Sequence, residues 1–544
     1  MAPSNRQPVY LKPVLLSLIL IGAALRLWQY AANASLWLDE IALARNILER
    51  PLGTLLTTPL AYSQAAPKGF LLAEKAAVAL LGPNEYALRL FPLLCSLAAL
   101  IAFWRVAERV LTGLAAPVAV ALFAAAMPFI FYAAQTKQYS TDVLVAVLLL
   151  WLALDLDAGA TLSAPRALAA AVAGAVAPWF SHPAVFVLAG IGIPLAAQSR
   201  RLDTRSRQRL YIVVAVWAVS ALCAVGIELS TASPQTREYM QRFWAHAMLP
   251  SDPLHMMWPL LRLSDLLGRR GLAALGYPSS ILYVSLTVFG LTLLFRRKRV
   301  AALFLILPIG LTVAASAVRQ YPFADRLILF LVPGFLLAIA EAVEWTRLRA
   351  AEFSSLAAAA MLLALAGPAL YVLAAKPPVY RIQDVKPVLA YLQARRRPGD
   401  AVYVHYRGAT SMVYYGARYG LRPSDFTIGG CYLGDTRRYL EEIDKYRGSP
   451  RLWLVAADVS PVRTPPQDIV RYLDAIGVRT DSFLMPTRTP TGYAITPAAV
   501  YLYDLSDTQR LAKADASSFP VVNTHLPSWM RCVEGPVTAD PAHR

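Results

Sequence analysis

The sequence is short of charge and short of cysteine. Only 16% of its 544 residues are Asp, Glu, Lys or Arg, against about 25% in soluble globular chains. Hydrophobic residues make up 57%, and mean hydropathy is +0.47. That balance excludes a purely cytosolic enzyme and predicts a membrane protein with a soluble part attached. The four cysteines are scattered, and no CxxC or similar metal-ligand spacing occurs. Cys95 and Cys223 fall in apolar runs and read as inert core, whereas Cys431 and Cys532 fall in the polar C-terminal part. His246 and His255 are too isolated to argue a metal site. Base exceeds acid, with 52 Lys and Arg against 34 Asp and Glu. A basic soluble patch with stacking aromatics is missing, so no nucleic-acid partner is expected. Basic loops beside anionic lipid heads account for the charge. No internal repeat is visible in the apolar part.

What is present is a series of apolar runs near the 17–25 residues that a bilayer requires. Eleven spans are expected. They are Leu11–Ala31, Ala87–Ala107, Val110–Ala133 and Ser140–Leu156; two within Ala167–Ala197, broken at "PWFSHP"; then Leu210–Leu229, Tyr277–Phe295, Val300–Val318, Leu327–Val343 and Phe353–Ala375. Arginine clusters in alternate loops: "RVAER" (Arg105–Arg109), "SRRLDTRSRQR" (Ser199–Arg209), "RRKR" (Arg296–Arg299) and "RLR" (Arg347–Arg349). Such loops favour the cytoplasm. The N-terminus is therefore expected inside, and the loop after the first span outside. A cleaved signal peptide ending near "ANA" (Ala32–Ala34) is the alternative for the first span, although Arg26 interrupts its apolar run.

After Lys376 the composition changes. Alternating patterns predict helices at "DVKPVLAYLQARR", "SMVYYGARYG", "DTRRYLEEIDKY" and "PQDIVRYLDAIG", with strands at "AVYVHY", "RLWLVAA" and "AAVYLYDL". The expected architecture is a polytopic α-helical membrane domain, 1–375, with a first outer loop at 32–86. An extracytoplasmic α/β domain, 376–544, with a small partly parallel sheet follows. The last thirty or so residues read as loosely ordered.

Ionisable residues at the edge of a membrane domain are costly and are candidates for function. The outer side offers Asp39 and Glu40, opening a short amphipathic helix. It also offers Lys68, then Lys137, Tyr139 and Asp142 at the mouth of a span. His182 sits at the "PWFSHP" break, and Arg319 and Arg326 precede the tenth span. Five of them have a structural alternative. Asp39 and Glu40 could complement a helix dipole after a Ser35 cap. Lys137 and Arg326 could be snorkelling anchors, and His182 a turn residue. What favours chemistry is the set: carboxylates and cations on one face.

An outer-face site has no ATP or nucleotide sugar to draw on. An activated sugar there arrives on a lipid carrier, held by its phosphate. Lys68, Lys137 and Arg326 suit that anion, arginine through a bidentate fork. A carboxylate suits the proton of the acceptor hydroxyl. The phosphate leaves as a stable anion, so the second carboxylate of a glycosidase is not required. Direct displacement would invert the anomeric centre.

The order of motifs resembles a family. "LDE" lies in the first outer loop, followed by "PKGFLLAEKAAVALLGPNEYALRLFP" and then "YAAQTKQYSTDVLVAVLLL". This is similar to the C-superfold membrane glycosyltransferases. The nearest kin are the dolichyl-phosphate-mannose protein mannosyltransferases (family 39) and their bacterial relatives, the lipid A aminoarabinose transferases. The resemblance covers roughly residues 10–345. It implies a polyprenyl-phosphate-linked sugar donor, an envelope acceptor of unspecified identity, and a place in the cytoplasmic (inner) membrane of a bacterium. It implies Asp39, with Glu40, as the base or acceptor-positioning carboxylate. Asp142 matches a position where many members carry an acid, tyrosine or arginine, and Gly82, Asn84, Glu85 and Arg89 match the motif before span two. The family often has two prolines after Lys or His, whereas here Lys68 follows a single Pro67. The resemblance implies no particular cofactor. A divalent metal ion near the first-loop acids is left open, because relatives differ. The C-terminal domain is expected to be accessory, and Cys431 and Cys532 to lie where a disulfide is permitted. Two other readings compete: a lipid-linked glycan transporter or flippase, against which stand the missing repeat and the one-sided charges, and a ligase using a lipid-pyrophosphate donor.

Overall fold

The computed structural model describes residues 11–159, 161–252, 255, 257–270, 273–432, 435–457, 465–489 and 497–521. Cys532 and most of the expected loose tail lie outside the described residues. The chain forms two compact units. The first comprises residues up to Ala32 together with Asn46–Val379. The second comprises Asn33–Arg45 together with the described residues from Tyr380 onward. The segment carrying Asp39 thus belongs to the unit built around the C-terminal domain.

Among the described residues, the regular elements of the first unit are all helices. Among the described residues, seven helices are long and apolar enough to cross a membrane: Leu11–Ala31, Glu85–Val110, Thr204–Thr231, Ser280–Arg297, Arg299–Ala317, Asp325–Ala351 and Ser355–Ala375. The other expected spans coincide with shorter or acid-bearing helices. Val110–Ala133 is not one helix but two, Ala115–Ala125 and Met127–Tyr132, separated where Ala126 turns extended (ψ 110°). Pro128 accounts for the break. It has no N–H to donate to the Ala124 carbonyl, and in a continuous helix its ring would clash with that carbonyl. Tyr139–Ala158 carries Asp142 in its first turn. The "PWFSHP" stretch separates Ala164–Phe180 from Ala184–Gln198.

Packing follows the rules for apolar helices, in which small residues admit close approach. A Cβ on Gly190 would meet the Pro308 ring at 2.5 Å, and one on Gly290 would run into the Ala338 backbone. Helix Val332–Ala351 is buried along most of its length, while Leu356, Leu363 and Tyr371 of Ser355–Ala375 are exposed, as lipid-facing residues would be. Arg26, which interrupts the first apolar run, is wholly buried. Its guanidinium donates to Ser96 Oγ (2.9 Å) and to the carbonyls of Gly22, Ala124 and Phe123 (2.9, 3.2 and 3.3 Å). An arginine in an apolar setting needs such partners, and they bind the first helix into the bundle. Asn84 of the "GPNE" motif caps helix Glu85–Val110 by accepting from Ala87 N–H at 2.9 Å.

The second unit holds a five-stranded sheet: β1 (Ala401–Val404), β2 (Thr427–Ile428), β3 (Leu452–Ala456), β4 (Val478–Met485) and β5 (Ala498–Asp504), in the order β2-β1-β3-β5-β4. β1 is parallel to β2 and β3, while β5 is antiparallel to β3 and β4. Helices Lys386–Arg395, Ala409–Tyr415, Thr436–Asp444 and Pro465–Ile476 stand where the periodicity predicts them. The glycine stop after "GARY" is Gly420, in left-handed conformation (φ 68°). Tyr403, Leu440, Ile443, Leu454, Leu473 and Tyr503 form the core. Cys431 is disulfide-bonded; Cys95 and Cys223 are free.

Candidate functional site

In the first unit, five of the residues singled out in the sequence, Lys68, His182, Asp142, Tyr139 and Arg326, lie along one connected path. Lys68 opens helix Lys68–Leu81, with Pro67 at its N-cap. That helix approaches the Phe180 break closely: a Cβ on Gly69 would meet the Phe180 ring and Trp179 O at 2.8 Å. The glycine after Lys68 is therefore what admits the contact. Lys68 Nζ lies 3.9 Å from Glu228 Oε2, and His182 Nε2 lies 3.7 Å from the same oxygen. Asp142, buried in the first turn of Tyr139–Ala158, is within electrostatic reach of His182 and Ser181. Tyr321 is within electrostatic reach of Asp142 and Tyr139, and its hydroxyl donates to Leu327 O at 2.8 Å. Arg326 completes the path, its guanidinium carbon 5.6 Å from the Tyr139 ring centre and 5.7 Å from that of Trp244. Lys137, also buried, donates to Gln64 Oε1 at 2.6 Å, just before Lys68 in the chain.

Arg319 departs from this group in being exposed, in a turn with left-handed backbone (φ 56°). Glu228 is the participant that sequence reasoning missed. It sits in the last turns of a long apolar helix, and an ionisable residue there was a signal in its own right.

The four arginine-rich loops of this unit gather at the opposite end of the same helices. Arg109 and Arg166 both pair with Asp155, at 3.4 and 2.7 Å. Lys298 Nζ donates to Arg109 O at 2.6 Å, Arg297 pairs with Glu341 at 2.8 Å, and Leu114 N–H donates to Glu344, the partner of Arg347. Arg209 donates to Leu162 O at 2.9 Å. Asp142 and Asp155 share one helix and stand about 20 Å apart along it at 1.5 Å per residue. The unit thus has two charged ends and an apolar middle.

In the second unit, Asp39 and Glu40 occupy the first turn of helix Leu38–Glu49. Glu40 is fully buried, and its Oε2 accepts from Trp37 N–H at 3.4 Å, one half of a capping box. Asp39 is partly exposed. Ser35, upstream of this helix, is tied to the C-terminal part of the chain. Its hydroxyl donates to Asp384 Oδ1 at 2.6 Å and accepts from Lys386 N–H at 2.9 Å. Negative charge in a first helical turn is favourable, so the dipole alone accommodates both acids. Among the described residues, no group of three or more His, Cys, Asp or Glu is arranged to hold a metal ion.

No family model and no curated protein matches the chain. Among solved structures, the chain is similar to an oligosaccharyltransferase from Archaeoglobus fulgidus, with 13% identity, TM-score 0.47, and 81% of this chain and 68% of that one covered. It is also similar to ArnT from Cupriavidus metallidurans bound to undecaprenyl phosphate, with 13% identity, TM-score 0.47, and 91% and 98% covered. A third is the arabinofuranosyltransferase AftD from Mycobacteria, with 18% identity, TM-score 0.43, and 91% and 41% covered.

Proposed function

We propose that the protein is an inverting membrane glycosyltransferase. It moves a sugar from a polyprenyl-phosphate carrier to an acceptor hydroxyl on the outer face of the cytoplasmic membrane. The observation that carries this reading is the path Lys68–Glu228–His182–Asp142–Tyr321–Tyr139–Arg326. It has cations at both ends of a partly buried polar cluster, at the end of the bundle away from the arginine loops. A polyprenyl phosphate offers an anion at that depth with an apolar tail beneath it. Lys68, Lys137 and Arg326 bind the phosphate, and Tyr139, Asp142 and His182 line the sugar.

In the reaction, the acceptor oxygen attacks the anomeric carbon from the face opposite the phosphate. The carbon–oxygen bond to phosphate breaks, and phosphate leaves as an anion held by the cations. The hydroxyl proton passes to Asp39, the carboxylate that the motif order assigns as base. Electrostatic stabilisation of the leaving anion and proton removal each contribute to catalysis.

The test uses purified protein with polyprenyl-monophosphate and polyprenyl-pyrophosphate sugars. Transfer from the monophosphate alone is expected, and Asp39→Asn should lower kcat by about 10²-fold or more, the scale of a lost general base. Full activity in that variant removes Asp39 from the mechanism, and use of the pyrophosphate favours the ligase. A comparison of envelope glycans with and without the protein identifies sugar and acceptor together.

A further inference from the structure

The peptide that leads into the Asp39 helix is held by a side chain of the C-terminal α/β domain, Gln383, that lodges where such domains ordinarily bind ligands. In open sheets with parallel strands, ligands sit outside the carboxyl ends of the strands, where the strand order reverses. Here that place is between β1 and β3, because the chain leaves β1 for β2 on one side and then returns to β3 on the other. The loops that follow β1 and β3 contain Arg407 and Ala457. Both of their carbonyls accept from one side chain, the Nε2 of Gln383, at 3.4 and 2.8 Å. Gln383 is fully buried and holds left-handed backbone (φ 52°), which non-glycine residues adopt only at some cost. Its Oε1 accepts from Leu38 N–H at 3.1 Å, the first residue of the Asp39 helix.

Neighbouring groups extend the grip. Asp384 Oδ1 accepts from Ser35 N–H and Oγ at 2.9 and 2.6 Å, and its other oxygen pairs with Arg381 at 3.4 Å. Leu36 N–H donates to the Tyr415 hydroxyl at 2.8 Å, and Lys386 Nζ donates to Asn33 O at 2.6 Å. Of the four successive amides from Ser35 to Leu38, three donate to side chains of the C-terminal domain, and Trp37 N–H donates to Glu40. Ser35 and Leu36 are buried. Residues far apart in sequence thus do the work usually done by a local cap, satisfying amides that a helix start leaves without partners.

We infer that the C-terminal domain is a positioning device for the Asp39 carboxylate: the Gln383 side chain lodges at its switch point and, with Asp384 and Tyr415, holds the chain's own Asn33–Leu38 peptide, these three being the positioning residues. The inference rests on Asp39 acting as base. A domain that merely glued the loop in place would affect folding and donor binding alike. One that aims a carboxylate affects the chemical step and leaves donor affinity intact.

The experiment uses full-length protein in detergent and two readouts, hydrogen exchange of the 33–45 peptide and steady-state transfer from a polyprenyl-phosphate sugar. Asp384→Ala is expected to speed exchange of that peptide about tenfold or more, with the β3 amides unchanged. It should lower kcat by about tenfold or more at a donor KM within about twofold of wild type. Asp384→Asn keeps an acceptor for Ser35 and should restore kcat to within about threefold of wild type. Should Asp384→Ala unfold the domain, Ser35→Ala removes the hydroxyl's hydrogen bond to Asp384 from the loop side, leaving that of the Ser35 N–H, and is read in the same way with a smaller expected effect. Faster exchange with unchanged kcat overturns the positioning role, and unchanged exchange overturns the docking. A wild-type protein that transfers no sugar refutes the proposed function instead, while the exchange comparison still decides whether the domain holds the peptide.

Discussion

Arg326 shows how aromatic rings can orient a guanidinium. Its guanidinium faces the rings of Tyr139 and Trp244 at 5.6 and 5.7 Å. Such contacts are worth about 0.5–2 kcal/mol, more where water is excluded. They also fix the plane of the fork that would meet a phosphate. Lysine carries the charge but neither the plane nor the fork. Arg326→Lys should therefore raise the donor KM about tenfold, roughly 1.4 kcal/mol, with a smaller effect on kcat; steady-state kinetics against donor concentration checks it. A second residue-scale expectation concerns His405, buried at the end of β1 against the Tyr439 ring. Burial, helped by the nearby Arg407, pushes its pKa down to about 3. Above the unfolded value of about 6.5 the imidazole is neutral in both states and pH has no effect through it. As pH falls from 6.5 toward 3 the unfolded chain takes up a proton that the folded domain refuses, so stability is lost by a few kcal/mol. Hydrogen exchange of β1 and β3 amides between pH 7 and 4.5 should show this slope, and His405→Phe should flatten it. Legibility at this scale was uneven. Lys68, Lys137, Asp142 and Arg326 stood out because charge is conspicuous among apolar neighbours. Glu228 carried the same signal, a charge in an apolar helix, and was passed over; Gln383 and Asp384 did not stand out, because their partners lie far away in sequence and no local pattern names them.

At the scale of elements, close approach decides where Lys68 is held. Gly69 lets helix Lys68–Leu81 lie against Phe180 and the Trp179 carbonyl, so near that a Cβ would stand only 2.8 Å from both. Gly69→Leu must push the helix away from the break and carry Lys68 away from Glu228 and His182. Transfer should fall about tenfold or more, as misplacement of a positioning group by about 1 Å can do. Gly53, where a Cβ would meet nothing within 4 Å, is the control. Gly53→Ala should leave transfer unchanged and, in a short helix, stabilise slightly. Detergent-solubilised activity and thermal unfolding of both variants separate the two cases. The elements themselves were legible where periodicity was strong. The C-terminal helices and the strands β1, β3 and β5 stand where the patterns put them. β4 escaped because it is an edge strand, "VRTDSFLM", exposed along most of its length; pairing with β5, not its own hydrophobicity, makes it a strand. β2 is two residues long and has no pattern to read. The long third span failed for a local reason, the extended Ala126 before Met127 and Pro128.

For the whole molecule, charge is the organising quantity. The net +18 is not spread evenly. Arg109, Arg166, Arg297 and Arg347 meet acids at one end of the bundle, with Asp155, Glu341 and Glu344 as partners. Lys68, His182 and Arg326 lie with Asp142 at the other. Basic loops stay on the cytoplasmic side, so the arginine end should face the cytosol and the candidate site the outer leaflet. Everything proposed for the chemistry depends on this, because a lipid-borne sugar is the donor for the outer leaflet and a nucleotide sugar would serve the inner one. In cells, a cysteine at the exposed Arg201 should react only with a membrane-permeant maleimide. One at the exposed Lys513 of the C-terminal unit should react with an impermeant reagent added from outside. Cys95 and Cys223 are first replaced by serine to silence the background. Labelling of Arg201→Cys by the impermeant reagent in intact cells, with Lys513→Cys protected, would invert the molecule and leave the cations facing a pool of nucleotide sugars, where a carrier-lipid mechanism has no reason to exist.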